Sequence, residues 1–283
     1  MQSFRYLFIA ILAMILFASS TTPFAKSKNS TVIGVQLYSF RNQIKTDLPG
    51  TLAKIKAMGL TQIESYPHGL VSAAEFRAML DKAGLTCVST HADYHELGKD
   101  LDGVAKEAKT LGAKYVIVAW IPHGNTFTLD DCNRAIANFN DWGARLAKHG
   151  LRFAYHTHGY EFQPHAGGTL LDKMIAETNP KYVAFQMDVF WVAQPGQNPV
   201  ALLKKYPKRF ELLHLKDMKA GTPKNFSGGA PADSDVVLGT GEIDIAGVVR
   251  AARKLGIRYH ILEDESSQVM TQIPESLKYL KKL

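Results

Sequence analysis

Side chains that bind metals recur at the ends of apolar runs in the second half of this chain. LRFAYHTH ends on His156 and His158, with Glu161 three residues further on; YVAFQMD ends on Asp188. FELLHLKD carries His214 and Lys216, and IRYHILED carries Glu263. His156 and His158 are two residues apart in an extended run, so both face one side of it. Mixed imidazole and carboxylate donors, one from each of several elements, suit a single Mn²⁺, Co²⁺, Zn²⁺ or Mg²⁺ ion rather than a thiolate-preferring metal. In the first half the runs end on Gln36, Tyr38 and Arg41, on Glu64 and Tyr66, on His91 and Asp93, and on Trp120 and His123. Glu64, His91 and Lys216 are of the type that hydrogen-bonds a polar substrate. Trp191 is of the type that walls a pocket and stacks on a sugar face. Cys87 and Cys132 form no CxxC and are expected as buried free thiols.

For these groups to meet, they must end neighbouring strands. Eight apolar runs begin near Ile33, Leu60, Leu85, Lys114, Leu151, Tyr182, Phe210 and Ile257, at spacings of 27, 25, 29, 37, 31, 28 and 47 residues. One strand-plus-helix unit at about 30 residues describes a βα array. Ser72 with Glu75 reads as a capping box, Asn198-Pro199 as a cap followed by a first-turn proline, and Asp244 as a helix cap. Gly59, Gly84, Gly112, Gly150 and Gly256 each end a helix and lead straight into the next run. Neither GxGxxG nor GxxxxGKS occurs, which removes the mechanism of a dinucleotide or P-loop site. The pattern predicts an α/β protein with a single (β/α)8 TIM barrel, whose strand ends open on one mouth. The Gly/Pro/Ser-rich connection after Met218 reads as a loop over that mouth.

Residues 1–26 are expected to be a signal peptide and residues 27–283 the barrel. Arg5 precedes the apolar run Leu7–Ala18 and small residues follow, the pattern of a secretory leader. The run is too short for a transmembrane helix, so no stable membrane span is expected after cleavage. An exported protein, periplasmic or secreted, follows. The net charge of +7 comes from scattered lysines with no basic run, so no nucleic-acid partner is expected.

The segments YHTHGYEF (155–162), QMDVFWVAQPG (186–196), LLHLKDM (212–218), LGTGEID (238–244) and ILEDE (261–265) resemble the sugar-phosphate isomerase/epimerase members of the xylose-isomerase-like barrel superfamily. That superfamily also includes D-tagatose 3-epimerases, inosose dehydratases and endonuclease IV. The resemblance implies a metal held by an acid of strand five, an Asp of strand six, a His of strand seven and a Glu of strand eight. By position these are Glu161, Asp188, His214 and Glu263. Strand five departs from the common pattern: His156 stands where relatives carry a Glu, leaving the first ligand between Glu161, which is preferred, and His156.

The implied chemistry is proton removal beside a carbonyl through an enediolate, with the metal as Lewis acid. Glu161, Glu263, His156 and His158 are the candidate catalytic groups, His158 or His156 moving the proton. Isomerisation, epimerisation and β-elimination stay open. Export and the missing phosphate cradle favour an unphosphorylated sugar, keto-sugar or 3-keto-glycoside as substrate, and the resemblance admits a homodimer. The rivals are an endonuclease IV-like hydrolase and a non-catalytic carbohydrate-binding barrel.

Overall fold

Strand formation follows the apolar runs closely. In the computed structural model, which describes residues 31–283 apart from 68 and 232, the barrel strands are β1 (Val32–Gln36), β2 (Gln62–Ser65), β3 (Thr86–His91) and β4 (Tyr115–Val118). They continue as β5 (Arg152–His156), β6 (Val183–Asp188), β7 (Phe210–Leu215) and β8 (Tyr259–Leu262). Each begins within two residues of its predicted start. The eight close in chain order, β8 pairing back onto β1, with the pairings along the barrel parallel. The expected leader lies outside the described residues. Among the described residues no helix is long and apolar enough to cross a membrane.

Alternation along the strands divides the core into two layers. Val88, Ile117, Ala154, Ala184, Leu212, Tyr259 and Ile261 point inward and fill the barrel. The residues between them face the surrounding helices and join the larger apolar cluster. The helix Ile245–Leu255 shows how that outer layer is held: Ile245, Val248, Val249 and Ala252 are buried on one stripe. Each buried Ile or Val side chain there contributes about 1.5–3 kcal/mol.

Local punctuation appears where the sequence places it. Ser72 and Glu75 form a reciprocal capping box, Asn198 caps Ala201 ahead of Pro199, and Asp244 accepts from Gly247 N–H. Gly84 and Gly256 end their helices at φ 67° and 77°, a left-handed turn that a Cβ would strain. Cys87 and Cys132 are free and buried, and burial pushes both thiols up to about 12.

The connection after β7 carries a feature that the apolar pattern does not reveal. Asp217–Met218 pairs antiparallel with Asp235–Val236, making a short ribbon that ties both ends of the loop to the mouth. Asp217 is its anchor. Its carboxylate accepts from the N–H groups of Met218, Gly239, Gly241 and Ile243. Gly228 to Pro231 of this loop form part of the cavity wall over the strand ends.

Candidate metal centre and substrate cavity

Register brings the strand-end donors together. Asp188 of β6 lies opposite His214 of β7, and β5 and β8 flank that pair. Donor atoms of His156, Asp188, His214 and Glu263 all fall within 4.8 Å of one another, and all four residues are buried. His156 Nε2 is 3.1 Å from His214 Nδ1 and 3.4 Å from Asp188 Oδ2. His214 Nδ1 is 3.0 Å from Glu263 Oε2 and 3.8 Å from Asp188 Oδ2. Donors bound about 2.0–2.2 Å from one ion in a tetrahedral set stand roughly 3.3 Å apart, so the spacing matches that of a shared cation.

Satisfaction of the individual atoms points the same way. Asp188 Oδ1 accepts from the N–H groups of Phe190 and Trp191. Its Oδ2 is buried and accepts no hydrogen bond among the described residues. Burial holds this carboxyl above its usual range, opposed by Lys216 and reinforced by Glu263. A carboxylate with one oxygen fixed and the other aimed, unpartnered, at two imidazoles has a place ready for a cation. Burial, joined by the charges of His214 and His91, keeps His156 well below the usual imidazole range. It is therefore neutral, the form that ligates metals. The set fits one divalent ion.

Beneath this quartet lies a second cluster built on Glu64. Its Oε1 accepts from Gln36 Nε2 at 2.8 Å and meets His91 Nε2 at 2.8 Å and His214 Nε2 at 2.5 Å. Its Oε2 accepts from Ser89 Oγ at 2.5 Å and Gln186 Nε2 at 2.8 Å. Burial raises the Glu64 carboxyl, yet the charges of His214 and His91 outweigh it and hold the group well below the usual range. For His214, burial works downward, but Glu64 and Glu263 push it up to about 10. Glu64, His91 and His214 also bring three donors together, but these atoms already pair with one another. Glu64 was expected to touch substrate. It is fully buried and absent from the cavity wall, and it fixes the ring of His214 instead.

The cavity above the quartet encloses about 730 Å³. His91, His156, His158, Trp191, Lys216 and Glu263 reach its wall. His158 stacks on Trp191 at 4.7 Å and 17°, and burial pushes its imidazole down to about 4. Lys216 has its ammonium 2.6 Å from Glu265, 3.6 Å from Glu263 and 3.8 Å from Asp235. It also lies 5.3 Å over both the Phe190 and Trp191 rings. Burial opposes its charge, but the three carboxylates hold it well above the usual range. Lys216 is thus a permanent cation in the wall, and Asp217 is no partner to it.

Glu161 is the preferred ligand that the fold places elsewhere. Gly159, at φ 97°, turns the chain after β5, and the short 3₁₀ helix Tyr160–Phe162 folds the carboxylate back onto its own turn. Glu161 Oε1 accepts from His158 N–H at 2.8 Å. Burial pushes the acid up to about 7 against the pull of nearby backbone donors. His156, not Glu161, supplies the β5 member of the quartet. Sequence reasoning also passed over Glu265 and Asp235, the partners of Lys216. Asp235 sits on the far side of the loop, and only the ribbon brings it back.

Comparison with known proteins agrees with this architecture. Inosose dehydratase of Clostridium botulinum (strain Alaska E43 / Type E3) is 26% identical over 197 residues, covering 62% of this chain and 65% of that protein, just under two thirds of its length. A sugar phosphate isomerase/epimerase structure from Parabacteroides distasonis ATCC 8503 superposes with a TM-score of 0.75 at 24% identity, covering 90% of this chain and 99% of that one. The structure of the IolI protein with a bound zinc atom gives 0.68 at 16% identity, over 89% and 96% of the two chains. The xylose isomerase-like TIM barrel family matches residues 52–283, from the helix after β1 to the end of the chain. With eight parallel strands closed on one mouth and that match spanning seven of them, the chain belongs to the xylose isomerase-like TIM barrel family.

Proposed function

We propose that this protein is a divalent-metal-dependent sugar isomerase, epimerase or dehydratase acting beside the carbonyl of an unphosphorylated keto-sugar or 3-keto-glycoside outside the cytoplasm. One observation carries the reading: four donors from β5 to β8 converge under a 730 Å³ cavity, and one of them, Asp188 Oδ2, has no hydrogen-bond partner. His156, Asp188, His214 and Glu263 would hold the ion. The zinc in the IolI structure and the dehydratase activity named for the Clostridium relative support the assignment. The leader-like residues 1–26 support export, and export favours a substrate without phosphate.

Bound there, a divalent ion supplies Lewis acidity to a carbonyl oxygen and so makes the neighbouring C–H more acidic. The remaining steps belong to the protein. His158, neutral and stacked on Trp191, is the group placed to take the proton from that carbon. Lys216 presents a fixed positive charge toward the oxygen that becomes negative as an enediolate forms. Return of the proton to the neighbouring carbon isomerises the sugar, return from the opposite face epimerises it, and loss of a β-substituent dehydrates or cleaves it. Glu161 braces the turn that carries His158, and His91 closes the wall beside it.

The test combines metal content with proton exchange. Purified protein, loaded with Mn²⁺, Co²⁺ or Zn²⁺, is incubated in D₂O with ketoses and 3-keto-glycosides and followed by NMR. One metal per chain and metal-dependent deuterium uptake beside the carbonyl are expected. Metal binding without any uptake or turnover would leave a carbohydrate-binding barrel instead. About three ions per chain would point to the endonuclease IV-like alternative.

A further inference from the structure

The cavity wall combines charged groups with aromatic rings. β5 to β8 contribute His156, Glu263 and Lys216 together with the rings of His158 and Trp191, and the segments following β1, β2 and β4 add the rings of Tyr38, Tyr66 and Trp120, the last lying against His158. Tyr38 and Trp120 are 40% and 44% exposed, among the few large apolar side chains this open in the described residues. Both are held in place. Tyr38 carries the Arg41 guanidinium 4.6 Å from its ring centre and meets Tyr66 edge-on at 5.4 Å. Trp120 stacks on His123 at 4.9 Å and 28°, and abuts His158 and Tyr160 edge-on. Rings fixed by their neighbours yet left in water at a cavity mouth form a ready surface for a partner ring.

Volume argues for the same occupant. One hexose, packed at the density of a protein interior, fills roughly 200 Å³, well short of the 730 Å³ available. A sugar seated over His156 and Glu263 therefore leaves room in the cavity for a second ring, toward the exposed rings at the mouth.

We propose that this remaining space is a subsite for a second ring, so that the substrate is a keto-sugar carried as a glycoside, its other unit stacked on the exposed rings of the mouth, Trp120 foremost. The proposal rests on the keto-sugar reading for the space over His156 and Glu263. A second pyranose and an aryl aglycone share the required chemistry, a flat apolar face with polar edges, and the probes separate them.

Binding of unreactive ligands isolates the subsite from catalysis. Calorimetry with methyl β-glucoside, cellobiose and phenyl β-glucoside is run on the metal-loaded protein and again after chelation. At least one two-ring probe should bind about tenfold tighter than the methyl glucoside, a difference worth about 1.4 kcal/mol. Preference for cellobiose identifies a second sugar, and preference for phenyl glucoside an aryl unit. Trp120→Ala should reduce the advantage to within about twofold, Trp120→Phe should retain most of it, and Tyr38→Ala should fall between. Circular dichroism checks that each variant is folded. Equal affinities for one-ring and two-ring probes, no measurable two-ring binding, or an advantage that survives both alanine variants overturns the proposal. A two-ring advantage that persists in protein showing no deuterium uptake upholds the subsite and sinks the catalytic reading alone.

Discussion

Glu64 and Asp188 are both fully buried carboxylates at the mouth of the same barrel, one next to last in β2 and the other ending β6. Their surroundings differ in one respect. Both oxygens of Glu64 are engaged by side chains from other strands, through Gln36, Ser89, Gln186, His91 and His214. Asp188 is pinned through one oxygen to the backbone of the next turn and leaves the other unpartnered. A satisfied buried carboxylate holds its neighbours still; an unsatisfied one costs stability until something fills the gap. On the proposed function the first region is scaffolding and the second a receptor, although both are built from histidines and acids. His214 joins them, one ring nitrogen facing each carboxylate cluster.

Removing the open oxygen should break this division most sharply. Asp188→Ala is expected to weaken metal binding by more than the roughly 10- to 100-fold typical of a supporting group, because on the proposed function the lost group is a ligand rather than its support. Metal analysis of the dialysed variant checks it. An Asp188→Ala protein that still held one ion per chain would move the receptor elsewhere in the mouth. Next in size is Lys216→Met, which keeps the side-chain volume and removes the charge. Glu263, Glu265 and Asp235 would then face one another around an uncompensated buried site. A loss of about 3–5 kcal/mol in folding stability is expected for breaking a buried ion cluster. Denaturant unfolding measures it, and a loss below about 1 kcal/mol would mean that the carboxylates simply take up protons.

Much of the fold was legible because strands facing helices on one side and a packed barrel on the other must be apolar throughout. Five of the eight runs are also announced by a glycine that ends the helix before them. The strand-end residues of β6, β7 and β8 were legible for the same reason, since Asp188, His214 and Glu263 each close a largely apolar stretch. Glu161 was not. Its direction depends on the left-handed turn at Gly159 and on backbone donors folded back upon it, and nothing in residue type says which way a turn points. The role of Glu64 was equally hidden, because it depends on residues from four other strands. Gln36 and Gln186 were a usable signal: a buried amide at a strand end exists to satisfy something.

A third contrast separates two buried imidazoles. His214, beside two carboxylates, is pushed up to about 10, whereas His260, on the helix-facing side of β8 with Ile257 C=O as its hydrogen-bond partner, is pushed down by burial to about 4. Between the ordinary value of 6.5 and about 4, the unfolded chain binds a proton that folded His260 refuses. Stability from this residue is therefore whole above pH 6.5 and falls as pH drops toward 4, by about 3 kcal/mol. Unfolding curves of wild type and His260→Gln across that window should converge at acid pH. Parallel curves would place the proton elsewhere.

The smallest expected effect is the most informative about the two clusters. Glu64→Gln preserves shape and can still accept through one oxygen, but it withdraws the charge that fixes His214 Nε2–H. Groups that orient a ligating histidine typically change metal affinity by about 10- to 100-fold, so a loss in that range is expected with little change in the fold. A second readout separates orientation from general damage: the ring N–H proton of His214, held by Glu64 in the wild type, should shift or exchange faster in the NMR spectrum of the variant. If affinity falls while that proton is unmoved, Glu64 acts through the charge of the whole mouth. If neither changes, the scaffolding is Gln36, Gln186 and Ser89 without their carboxylate, and the division drawn between β2 and β6 is only one of hydrogen-bond count.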